Sequence, residues 1–74
     1  MNELDFFCYS LYVQEERGYK SNWAFVIFRA YFGKWITKSV RSKSESSLPT
    51  QQYLEWLDSY FQQNLNQITA KNKY

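Results

Sequence analysis

A chain of 74 residues lies at the small end for an independent fold, yet three Trp, seven Tyr and six Phe make 22% of it aromatic. Each such ring buries on the order of 150–250 Å², which rules out a disordered class despite a mean hydropathy of −0.64. One cysteine excludes an intramolecular disulfide, and the absence of histidine removes the usual zinc sites and imidazole acid–base chemistry.

The expectation is therefore a non-enzymatic protein with no cofactor and no metal site. Glu15 and Glu16 are adjacent and point to different helix faces, and Cys8 lies on an apolar stripe with no base near it in the pattern. The N-terminus, Met1-Asn2-Glu3-Leu4-Asp5, is acidic where a signal peptide is basic. The most apolar run, Trp23 to Ile36, is interrupted by Arg29 and Lys34 and falls short of the ~20 residues of a membrane span. A reducing, cytoplasmic setting is the default expectation.

The first helix is expected over 3–17. Leu4, Phe7, Cys8, Leu11 and Tyr12 follow the spacing of one helix face, and Phe6, Tyr9 and Val13 form a second stripe. Asn2 is placed to cap it, Glu3 and Asp5 fall in its first turn, and Gly18 stops it. After Tyr19-Lys20-Ser21-Asn22, a second helix is expected over about 22–33, from Trp23 to Phe32 and closed by Gly33. Its residues are apolar nearly all round, with only Arg29 interrupting, which reads as the central helix; a buried strand is the rival for so β-branched and aromatic a run. Lys38 to Ser47 holds five Ser and three bases, the composition of an exposed, mobile connection. Pro49 then leads into a third helix, about 50–69, with Tyr53, Leu54, Trp56, Leu57, Tyr60, Phe61, Leu65 and Ile68 on one arc. Together these predict an all-α, three-helix bundle forming a single domain over 1–70, with 37–48 as a linker and 71–74 as a flexible tail.

Charge is segregated. Residues 1–16 carry four acids and no base; 17–43 carry Arg17, Lys20, Arg29, Lys34, Lys38, Arg41 and Lys43 and no acid; 44–70 carry three acids and no base. Blocks of one sign point to a partner more than to a fold. Arg41 and Lys43 read as bases that keep a Ser-rich connection soluble; the bases set among aromatics are not explained that way.

Gly18-Tyr19-Lys20, Trp23-Ala24, Phe28-Arg29 and Phe32-Gly33 followed by Trp35 resemble a pattern written GYKxGWAxxxFRxxFGxWP. That pattern resembles the small module at the C-terminal end of some bacterial and phage superfamily II DNA/RNA helicases, including RadD-like helicases. Ten matched positions at fixed spacing, over roughly 4–36, carry the resemblance. Ser21-Asn22 replaces the family's Pro-Gly with two good helix caps, and Ile36 stands where the family has Pro. No Walker A sequence or other motor motif accompanies it.

The resemblance implies a nucleic-acid-binding accessory module, here without its motor. Arg17, Tyr19, Lys20, Arg29, Lys34, Trp35 and Lys38 are the expected contacts. Lys20 and the free N–H groups near Trp23 would form an anion site at a helix N-terminus, and Tyr19 and Trp35 would offer flat faces for stacking. The expected partner is DNA or RNA through its phosphate backbone, or a larger protein such as a helicase, with no membrane involved. The alternative is a protein–protein adaptor or inhibitor docking through surplus aromatic faces. A homodimer would bury the same surplus.

Overall fold

The structure, a computed structural model, describes the backbone of residues 1–71 and the side chains of residues 1–63. The described residues form helices only: α1 (Glu3–Arg17), α2 (Trp23–Phe32), α3 (Lys38–Lys43) and α4 (Gln51–Lys71). The fold is all-α as expected, with four helices in place of three. Of the expected tail over 71–74, Lys71 still belongs to α4; residues 72–74, and the inward faces of Leu65 and Ile68, lie outside the described residues.

The ends of α1 follow from sequence chemistry. The Asp5 N–H donates to the Asn2 side chain at 2.8 Å, satisfying one of the free donors of the first turn. At the other end Gly18 adopts φ +68°, and the Gly18 and Tyr19 N–H groups return to the carbonyls of Glu15 and Gln14, a Schellman-type closure. Gly33 closes α2 at φ +75° with its N–H on the Arg29 carbonyl at 2.8 Å. A Cβ at either glycine would meet nothing within 4 Å, so the cost of substitution is backbone strain alone. Gly18→Ala and Gly33→Ala should each lower unfolding stability by about 1–2 kcal/mol in urea titrations, with asparagine recovering part of the loss because it tolerates the left-handed region.

The start of α2 is capped from elsewhere. Asn22 makes no side-chain cap bond. Instead the Ala24 N–H donates to Gln14 Oε1 of α1 at 2.9 Å, and the Trp23 N–H donates to the Lys20 carbonyl at 3.0 Å.

α3 replaces part of the expected mobile connection. Thr37 caps it, accepting from the Val40 N–H, and Ser44 Oγ closes it by donating to the Arg41 carbonyl at 2.7 Å. The Ser-rich residues after it are laid along α1: the Ser47 N–H reaches the Cys8 carbonyl at 3.3 Å, the Glu45 N–H lies 3.5 Å from Cys8 Sγ, and Ser46 Oγ bonds Glu15. This strap brings the chain back to α4, whose first turn is capped by Thr50 through the Tyr53 N–H at 3.2 Å.

The centre of the bundle is α1, not α2. Phe6, Phe7, Cys8, Ser10 and Val13 of α1 are buried, so it is held on both of its apolar stripes. On α2 only Ala24, Ile27 and Phe28 are buried, while Val26, Arg29 and Ala30 are exposed. Phe6 is wholly buried and packs its ring within 4.6–6.2 Å of the ring centroids of Phe28, Tyr31, Phe32, Tyr53 and Trp56, mostly edge-to-face as ring quadrupoles prefer. Phe7 stacks on Phe25. Four buried and nine half-buried aromatic side chains share this one core, which absorbs most of the aromatic surplus noted in the sequence.

Among the described residues, Ser10 is the one buried side chain outside the hydrophobic set. Ser10 is fully buried; its hydroxyl lies 2.9 Å from the Phe6 carbonyl and 2.8 Å from the Tyr53 hydroxyl. No buried side-chain nitrogen or oxygen among the described residues lacks a partner, as close-packed interiors require.

Candidate functional site

The seven expected contact residues do not form one cluster. Arg17 and Tyr19 pair at one end of α1: Arg17 Nη1 donates to the Tyr19 hydroxyl at 3.4 Å, and the guanidinium lies 6.0 Å from the Phe61 ring. Tyr19 itself is half-buried, 4.8 Å from Trp23 and 6.3 Å from Phe61. It closes the core over α4 and is not an open stacking face.

Lys34 is also committed. Its Nζ lies 2.7 Å from Glu3 Oε2 at the start of α1, the one ion pair among the described residues. With its side chain 56% exposed, this pair contributes little, ~0–1 kcal/mol, but it removes an unopposed charge from the basic block. The anion site expected at the α2 N-terminus is reduced in the same way, since the Trp23 and Ala24 N–H groups already have protein acceptors. Lys20 and Lys38 are exposed, and their side chains form neither an ion pair nor a hydrogen bond among the described residues.

A different part of the motif assembles a site. The outer face of α2, the segment after Gly33 and Arg41 of α3 enclose an open groove of about 330 Å³, lined by Asn22, Phe25, Val26, Trp35, Ile36 and Arg41. Two guanidinium–ring contacts frame it. Arg29 Cζ lies 4.7 Å from the Trp35 ring centroid, and Arg41 Cζ lies 5.1 Å from that of Phe25, both within the range of cation–π attraction. Trp35 stays 56% exposed and Val26 46% exposed. Gly33 sets this geometry: by ending α2 in a left-handed turn it brings Trp35 back toward Arg29, six residues earlier.

Of the expected residues, then, Arg29 and Trp35 meet at the groove, and Lys38 lies one turn before Arg41 on α3. Arg41, Asn22, Phe25, Val26 and Ile36 were not among the contacts expected from the sequence. The signal for Arg41 was present in Thr37-Lys38-Ser39-Val40, a capped helix start, which turns a soluble connection into an element that aims its bases. Among the described residues no group of three or more His, Cys, Asp or Glu side chains converges to hold a metal ion, and no helix is long and apolar enough to cross a membrane.

No protein-family model matches the chain, and neither a curated protein nor a solved structure does. The likeness to the helicase module rests on the ten motif residues alone.

Proposed function

We propose that the protein is a non-enzymatic nucleic-acid-binding module that holds the phosphate backbone with the bases of its middle third. The observation that carries this reading is the run of seven bases without one acid over 17–43, of which only Lys34 is neutralised by an ion pair among the described residues. Arg29 and Arg41 each rest over an aromatic ring beside the groove, with Cζ 4.7 and 5.1 Å from the ring centroids, a contact that restrains them before a ligand arrives and lowers the ordering cost of binding. Guanidinium groups suit phosphate oxygens through paired N–H donors. The motif supports the further reading that such binding serves a helicase-type partner.

The test is a salt series of fluorescence anisotropy titrations with short DNA and RNA. Affinity should fall steeply with salt, and Arg29→Glu with Arg41→Glu should flatten the log–log slope by about 1.5–2, as expected for two lost phosphate contacts. Lys34→Gln should have a smaller effect, since its charge is already paired. No retention of any nucleic acid at low salt would sink the reading.

Val26 and Trp35, exposed and lining the same groove, favour a second reading, an adaptor that docks on a protein. A single stoichiometric partner whose binding survives high salt supports that reading instead.

A further inference from the structure

The same groove carries more than charge, and the role inferred for it rests on the protein being a nucleic-acid binder. Phosphate contacts need only exposed bases. This groove adds an apolar floor and wall from Phe25, Val26, Ile36 and Trp35, with Arg41 at its edge. Its volume of about 330 Å³ falls in the size class of small-ligand clefts, ~300–1,000 Å³, so it accepts a flat ring system and is far too small for a helix or a duplex groove.

Two further observations select the ring. Asn22 lines the groove, and its side-chain amide makes no hydrogen bond among the described residues; an amide offers a donor and an acceptor together, the combination that reads a base edge. The groove also has one guanidinium among its lining residues, Arg41 on Phe25, and a second, Arg29, resting on its wall residue Trp35, with no carboxylate among its lining residues. An apolar slot flanked by cations and free of acids is complementary to an aromatic ring attached to an anionic chain.

We infer that the groove seats an unpaired nucleobase, with Arg29 and Arg41 taking the phosphates on either side of it, so that the module prefers single-stranded over duplex nucleic acid. A base inside a duplex is stacked and paired and cannot enter; an unpaired one enters at no such cost. Trp35 supplies the exposed stacking surface, and Asn22 meets the base edge. The arrangement fits single strands with modest base preference, because every base has a ring face while only one amide meets its edge.

The experiment uses the full chain and three probes of equal length: oligothymidylate, its duplex with oligoadenylate, and an abasic strand with the same phosphates and no bases. The expected result is tighter binding of oligothymidylate than of either other probe. Trp35→Ala should lower affinity for oligothymidylate by about five- to a hundredfold, the range for one stacked base, and lower affinity for the abasic strand much less, since there only the support of Arg29 is lost. Asn22→Ala should give a smaller loss with the same selectivity. Both positions are exposed, and unchanged thermal melts of the variants establish that the fold is kept.

Equal binding of the abasic strand and oligothymidylate overturns the base seat while leaving the phosphate reading in place. Tighter binding of the duplex does the same. If no nucleic acid binds and a synthetic peptide alternating Glu and Leu does, both readings fall and the groove is a protein-docking site.

Discussion

Replacing Phe6 by alanine should cost the protein most of its stability. Large-to-small changes at fully buried aromatic positions cost ~3–5 kcal/mol, and a domain of this length has only ~4–11 kcal/mol in total. Phe6 is a severe case because its ring touches five others drawn from α2 and α4. Truncation opens a cavity where three helices meet, and no single neighbour can collapse into it. The measured consequence should be a melting midpoint lowered by more than ~12 °C, or a chain already unfolded at ambient temperature. Trp35→Ala is the matched control, since its ring is 56% exposed and surface changes stay within ~0.5 kcal/mol. If the two variants melt alike, Phe6 is not the centre of the core.

The second large effect belongs to the buried hydroxyl pair. Ser10→Ala should destabilise more than Tyr53→Phe, although both remove a single oxygen atom. In Tyr53→Phe the Ser10 hydroxyl keeps its bond to the Phe6 carbonyl, so the loss is that of one ordinary hydrogen bond, ~0.5–1.5 kcal/mol. In Ser10→Ala the Tyr53 hydroxyl stays buried without its partner, which costs ~1–3 kcal/mol. The double variant should be less than the sum of the two.

The same site sets a limit at alkaline pH. Burial pushes the Tyr53 phenol up from 10.0 to about 12, against smaller opposing effects of the Ser10 hydrogen bond and the Arg17 charge. Below pH 10 the phenol is protonated in both the folded and unfolded chain, and stability does not depend on it. Between 10 and about 12 only the unfolded chain ionises, so folding loses ~2–3 kcal/mol across that window. Urea midpoints should hold steady from neutral pH to 10 and then fall, and Tyr53→Phe should fall less over the same window. Equal alkaline losses in both proteins would place the titration on other tyrosines.

Both ends of α1 and the C-terminal end of α2 were legible in the sequence because they are written in local chemistry, with Asn2 as a cap and Gly18 and Gly33 as left-handed stops. The centre of the bundle was not. Hydropathy favours α2, but burial depends on which helix has neighbours on two sides, and that is α1, whose second stripe of Phe6, Tyr9 and Val13 is as important as its first. α3 escaped notice because six residues of Lys, Ser, Val and Arg show no amphipathic period; Thr37 and the contact of Arg41 with Phe25 define it instead.

The candidate site was half legible for the same reason. Arg29 and Trp35 could be named from the motif, but their contact depends on the turn at Gly33. Tyr19 and Lys34 look equivalent to them in the sequence, yet one is packed against Trp23 and Phe61 and the other against Glu3. The contacts to Phe61 and Glu3 join residues far apart in the chain, and no spacing rule reports them.

The bond from Ala24 to Gln14 has a consequence for the order of assembly. A ten-residue helix is marginal by itself in water, and α2 lacks a cap of its own at Asn22. Its first turn is completed only when the side chain of Gln14 arrives from α1. α2 is thus a conditional helix, formed on a template, and the groove built on its outer face comes into being only after α1 has docked. A partly folded chain therefore has no such groove.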